Sequence, residues 1–179
     1  MKFTSIHTAI ESFRASGSPE AFRYVYDILS PKLYYVCLRY LKSEADAQDV
    51  LQETFVIAYR KIDSFNGQGS FEGWMRRIAV NNCLAKLRIN KKEFVESIET
   101  NQYQIPEEEE HSAEKEETAA NLLRALKELP DGYRTIINLA VLEDYSHREI
   151  SELLHISEST SRSQLARAKT ALKLKLAQL

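Results

Sequence analysis

Residues 145–176 read YSHREISELLHISESTSRSQLARAKTALKLKL, and their spacing predicts two helices joined by a three-residue turn. Ser146 can cap the first helix while Glu149, three positions on, reaches back in a capping box. Ile150, Leu153 and Leu154 then fall on one stripe. The turn is His155-Ile156-Ser157: His155 stands where the chain must bend sharply, Ile156 points inward and Ser157 can cap a second helix. In that helix Leu165, Ala168, Leu172 and Leu176 are expected to be buried, with Arg162, Gln164, Arg167, Lys169 and Lys173 on the outer face.

A helix-turn-helix of this form lays its second helix in the major groove of DNA, where Arg and Gln reach base edges and Lys reaches phosphates. An ordinary helical hairpin with a solvated basic face has the same local pattern, so the rest of the chain decides between the two.

The 179-residue chain holds five Gly and four Pro, and no window alternates apolar and polar residues between turn signals. An all-α protein is expected, of one domain or two small ones. The N-terminal MKFTSIHTAIESFRASG lacks an apolar run fit for a signal peptide, and nowhere do eighteen apolar residues follow one another. The expectation is a cytoplasmic protein that does not insert into a membrane. Cys37 and Cys83 have no C-x-x-C partner and read as small buried hydrophobes.

The formal net charge of -2 is unpromising for a DNA-binding protein until it is resolved along the chain. Residues 91–120 hold ten Glu against three Lys, which leaves the flanking segments mildly basic. The run IPEEEEHSAEKEE is acidic, Pro-marked and free of aromatics, and reads as a flexible linker between two helical domains. The predicted boundaries are 1–92, linker 93–118, and 119–179.

Within the first domain a short helix ends before Gly17, and Ser18-Pro19 starts another with Pro at its first position. Ser30-Pro31 repeats that signal, so the following stretch is either a separate helix or a continuation kinked at Pro31. Ser43 caps the next helix, whose apolar face is Ala47, Val50, Leu51, Thr54, Phe55, Ala58 and Ile62. Asp46, Asp49, Gln52, Glu53 and Lys61 lie outside it; they form a solvated face or a grip for a basic partner. DSFNGQGS (63–70) is a loop, and Ser70 caps a helix with Trp74, Ile78 and Leu84 on its apolar side and Met75, Ala79 and Cys83 near them. Arg76, Arg77, Lys86, Arg88, Lys91 and Lys92 make that helix basic, with Asn81 and Asn82 in its middle, which suits either solvent or nucleic acid.

Beyond the linker, Leu122, Leu126 and Leu129 form a helix stopped by Pro130, and another runs through Tyr133, Ile136, Ile137, Ala140 and Val141 to pack under the helix-turn-helix.

Several short runs, in order and on both sides of the linker, carry a resemblance. They are D-x-x-Q-E-x-F (Asp49, Gln52, Glu53, Phe55), G-S-F-x-x-W (Gly69, Ser70, Phe71, Trp74) and I-A-x-N (Ile78, Ala79, Asn81). In the second domain they are L-P-x-x-Y-R (Leu129, Pro130, Tyr133, Arg134), E-I-x-x-x-L (Glu149, Ile150, Leu154) and I-S-x-x-T-x-x-S-x-L-x-R-A from Ile156 to Ala168. Together they resemble the extracytoplasmic-function sigma factors of the sigma-70 superfamily, with a region 2 bundle and a region 4 helix-turn-helix. The chain departs from the usual pattern at Ala85, Ser151, His155 and Ser161.

The resemblance implies core RNA polymerase and promoter DNA as partners, an anti-sigma factor as a further one, and no cofactor. It assigns polymerase binding to Asp49, Gln52 and Glu53, and minus-ten DNA to Phe71, Arg76, Arg77, Asn81, Lys86 and Arg88, with Asn81 helping to hold a flipped base. Minus-thirty-five DNA falls to Ser157, Thr160, Arg162, Ser163, Gln164, Arg167, Lys169 and Lys173. The mechanism implied is binding and duplex opening, which needs no catalytic group. A free-standing dimeric repressor is the rival reading, but no leucine heptad seam supplies its dimer face. An enzyme is a third, and His7, His111, His147 and His155 show no metal-ligand spacing.

Overall fold

The computed structural model describes residues 3–88 and 119–179, so the predicted acidic linker lies outside the described residues. Among the described residues the regular structure is wholly helical. The chain divides into two compact units, residues 1–86 and 87–179.

In the first unit, α1 (Ile6–Ser16) is capped by the Ser5 side chain and ends at Gly17, whose φ of 64° is the left-handed conformation that a residue without Cβ adopts cheaply. Helix α2 (Pro19–Tyr40) starts at the Ser18 cap and runs through Pro31 without a break. The two alternatives at Pro31 thus resolve to one helix, which forgoes a single backbone bond there. Ser43 caps α3 (Glu44–Lys61), and the predicted apolar face of Ala47, Val50, Leu51, Thr54, Phe55 and Ala58 is buried. Rings from three helices interlock, with centroids 5.2 Å apart for Phe13 and Phe22 and 4.6 Å for Tyr26 and Phe55.

Helix α4 (Phe71–Leu87) departs from the expected phase. Its buried stripe is Phe71, Met75, Ala79 and Cys83, with Val80 and Leu84 beside it. Trp74 and Ile78, expected to lead the apolar side, are only half-buried. The four-residue repeat beginning at the first helical position sets the inward face, and the two large side chains stand at its margin.

In the second unit, α5 (Ala119–Glu128) and α6 (Asp131–Ile137) are separated by Pro130, as expected. The chain then widens into a π-helical turn over Asn138–Leu142 where a continuous α-helix was predicted. Helix α7 (His147–Leu154) and helix α8 (Glu158–Ala177) form the hairpin. Leu126, Leu129, Tyr133 and Ile137 pack with Ala168 and Ala171 of α8 in one core.

Arg134 is sealed inside this unit at 1% exposure. It donates from Nη1 to the Leu129 carbonyl at 3.2 Å and from Nη2 to Asp131 at 2.8 Å. The guanidinium therefore serves the Leu129 carbonyl, which lies past the end of α5 and before the ladder of α6. Burial pushes its pKa below the ordinary value, and Asp131 opposes that shift.

Candidate nucleic-acid and polymerase interfaces

The helix-turn-helix is built as its sequence suggests. Ser146 Oγ accepts from the Glu149 backbone N–H at 3.2 Å while Glu149 accepts from the Ser146 N–H at 2.8 Å, closing the capping box. His155 ends α7 at φ 57°, ψ 43°, a left-handed conformation that His tolerates better than most side chains. Ser157 then caps α8 through the Thr160 N–H at 2.9 Å.

Arg162, Ser163, Lys169 and Lys173 are exposed on α8, Ser157 is exposed on the turn before it, and Thr160 and Arg167 are half-exposed. Arg162 pairs with Glu158 at 2.6 Å, an i,i+4 surface pair worth at most about 1 kcal/mol and so readily exchanged for another acceptor.

Gln164 departs from its predicted place. It is 2% exposed and lies inside, on the stripe Ser161, Gln164, Ala168 and Ala171. Of the expected stripe Leu165, Ala168, Leu172 and Leu176, Ala168 is buried and the three leucines are half-buried along the edge. Two polar residues thus occupy the inward positions of the first two turns, where polarity gives no hint of burial. The inward-facing Ser161 is hydrogen-bonded to His147 Nδ1 at 2.9 Å.

On α3, Asp49, Gln52 and Glu53 are all exposed. Lys86 of α4 reaches across to this helix, with Nζ 2.8 Å from Asp46 and 3.9 Å from Asp49. A residue expected to serve minus-ten DNA is therefore joined to the acidic group expected to serve polymerase. The hydrogen bond from Lys86 holds the Asp46 carboxyl below the usual carboxylate range, and Asp46 in turn raises the lysine. Because the Asp46 pKa is lowered on folding, the link persists above the ordinary carboxylate range and is lost only as pH falls through the folded value.

Along α4 the structure separates two neighbouring asparagines. Asn82 donates to Thr54 Oγ1 at 3.2 Å and ties α4 to α3, while Asn81 is exposed. Arg77 is exposed, Arg76 is half-exposed, and Arg88 follows the last turn of α4.

Phe71 differs from an exposed DNA-contacting residue. At 7% exposure its ring packs 5.2 Å from both Phe65 and Trp74, clasping the loop before α4. Arg14 holds the same loop from α1. It donates to the carbonyls of Ile62, at 2.9 Å, and Phe65, and its guanidinium lies 5.7 Å from the Phe65 ring. Sequence reasoning missed Arg14 because the pairing spans some fifty residues and leaves no local pattern.

Residues 25–93 match the family Sigma-70 region 2, and residues 119–172 match Sigma-70, region 4. The ECF RNA polymerase sigma factor SigW of Bacillus subtilis (strain 168) is 33% identical over 176 residues, covering 91% of this chain and 92% of that protein. The ECF RNA polymerase sigma-E factor of Haemophilus influenzae is 31% identical over 173 residues, covering 89% of each. In fold, the chain is similar to the sigma factor RpoE of Bartonella quintana, solved in complex with the anti-sigma factor NepR. The TM-score there is 0.54 at 21% identity, covering 87% of this chain and 96% of that one.

The chain belongs to the sigma-70 family, in its extracytoplasmic-function group. It is a transcription initiation factor that directs RNA polymerase to promoters. Among the described residues no helix is long and apolar enough to cross a membrane.

Proposed function

We propose a division of labour within that function. The outer face of α3, through Asp49, Gln52 and Glu53, holds core RNA polymerase. Helix α4 and the loop clasped to it engage the minus-ten element, with Arg76, Arg77 and Arg88 on the backbone and Asn81 holding an unstacked base. Phe71 supports the loop from within, and Lys86 stands at the border of the two surfaces. The first half of α8 reads the minus-thirty-five element through Thr160, Arg162 and Ser163, with Ser157 at the turn. Arg167, Lys169 and Lys173 lie on phosphates, and Gln164 supports the helix from inside.

The factor acts by binding and strand opening without catalysing a reaction, and works in the cytoplasm. Its working domains are 1–92 and 119–179, joined by the acidic segment 93–118. The Bartonella quintana relative is seen with an anti-sigma factor, and a protein of that kind is proposed as a partner here. The observation that carries the reading is the contrast on α4, where Asn82 is tied down and Asn81 left exposed.

Its test is Asn81→Ala. Open-complex formation, followed by permanganate reactivity, is expected to fall about tenfold on duplex promoters, the loss of a hydrogen bond or two to an extruded base. On a template already mismatched across the minus-ten element the loss is expected to shrink to twofold or less, roughly what remains when unpairing no longer costs energy. Equal loss on both templates contradicts the base-holding role.

On α8 the expected results separate reading from anchoring. Arg162→Ala relaxes the choice of minus-thirty-five sequence by about 1–3 kcal/mol, the worth of a bidentate base contact. Lys173→Ala weakens binding to all sequences alike and lowers the salt slope by about one. Equilibrium titration of promoter variants at several salt concentrations distinguishes them. A uniform loss from Arg162→Ala means that α8 is not reading bases.

A further inference from the structure

His147 and Ser161 make a polar contact at a place where two helices of a hairpin ordinarily meet through apolar side chains. His147 is the first residue of α7, and Ser161 lies in the first turn of α8. Ser161 is wholly buried, and its hydroxyl has one partner among the described residues, the imidazole Nδ1 at 2.9 Å. A hydroxyl sealed from water carries one proton that needs an acceptor, and Nδ1 is the acceptor within reach. If Nδ1 instead carried a proton and donated, the serine proton would be stranded in the interior.

Nδ1 therefore accepts, and in the neutral ring Nε2 carries the hydrogen. His147 is half-exposed, and its Nε2 has no partner within the described protein and is not sealed from solvent. Beside Ser161 on α8 stand Thr160 and Arg162, assigned above to reading DNA. Nε2–H is thus left for a partner outside the described protein, on the residue that opens α7 and is bonded to the first turn of α8.

We propose that Ser161 and His147 form a latch with two effects: it seats the start of α8 on α7, and it turns His147 into a contact for a promoter phosphate through Nε2–H. Ser161 is the positioning residue and His147 the binding one. The proposal rests on the reading of α8 as the minus-thirty-five helix. An N–H at this place suits a phosphodiester oxygen, which accepts hydrogen bonds and carries charge but no sequence information. The contact adds affinity equally to all promoters, and the latch makes that affinity depend on a side chain that never touches DNA.

The test has two arms. In the first, ¹⁵N NMR of the histidine ring in the free full-length chain is expected to show the Nε2–H form, shifting to a mixture in Ser161→Ala. A native ring protonated at Nδ1 alone overturns the proposal. In the second, holoenzyme affinity is measured on a set of minus-thirty-five variants. His147→Ala is expected to weaken all of them about tenfold, the usual worth of a hydrogen bond to a charged group. His147→Gln places an amide nitrogen near the Nε2 position and should recover most of that loss. His147→Asn keeps an acceptor for Ser161, but its amide nitrogen stops short of the Nε2 position, so it should bind about as weakly as His147→Ala. Wild-type affinity in His147→Ala or His147→Asn overturns the phosphate contact. Arg162→Ala in the same titration separates the two claims. If it leaves sequence choice unchanged, the reading of α8 fails; if it relaxes choice while His147→Ala does nothing, only the phosphate contact of His147 fails.

Discussion

A chain carrying Asp49→Lys and Glu53→Lys together is expected to bind core RNA polymerase about a hundredfold more weakly, or about 3 kcal/mol, because like charges then face a surface that had matched the carboxylates. The fold should survive. Both side chains are exposed, Asp49 at 72%, so their removal costs the free protein little. Lys86 keeps its shorter bond to Asp46, and Thr54 with Asn82 still joins α3 to α4. Co-sedimentation or titration against core polymerase, beside circular dichroism of the free chain, reads both quantities. Unchanged binding at native helicity contradicts the assignment of α3.

The second large effect concerns stability. Arg134→Ala is expected to destabilise the second unit by about 3–5 kcal/mol, since it empties a large buried volume and leaves Asp131 and the Leu129 carbonyl without the guanidinium. For a unit of this size that is a large part of the total stability. Urea unfolding read by helicity should show an early transition that the native chain lacks. The single tryptophan, Trp74, lies in the first unit, so its fluorescence should report a transition that does not move. A shift under about 1 kcal/mol, the ordinary effect of a surface substitution, contradicts the role given to Arg134.

The parts of this fold that were legible in the sequence are those with local causes. Ser5, Ser18, Ser43, Ser146 and Ser157 cap helices through their own neighbours. Of these, all but Ser5 announce themselves by spacing. His155 could be placed at a sharp bend because Ser146 and Ser157 bracket it, and the structure makes that bend left-handed. The face of α3 was readable because its apolar residues are dense.

What was not legible follows from helix phase and from distance. In α8 the leucines sit at the margin of the buried stripe while Ser161, Gln164 and two alanines occupy its centre, and in α4 Trp74 and Ile78 stand beside a stripe led by Phe71 and Met75, so periodicity read from Trp74 or Leu165 is a fraction of a turn out. That displacement put Gln164 outside when it is inside. Arg14 on the loop, Lys86 on Asp46 and His147 on Ser161 join separate helices, and no local spacing encodes such pairs. Arg134 stood in a quoted motif, but nothing in L-P-x-x-Y-R says that its arginine is buried and closes the end of the preceding helix.

The division of labour is tested most directly by site-specific photocrosslinking in the assembled holoenzyme on a promoter, with a photoreactive side chain at position 52 of α3 or position 163 of α8. Both positions are exposed, so neither probe has to displace packing. Position 52 is expected to crosslink to the largest polymerase subunit, whether or not DNA is present, and position 163 to minus-thirty-five DNA. Crosslinks from position 52 to promoter DNA, or from position 163 to polymerase alone, would contradict it.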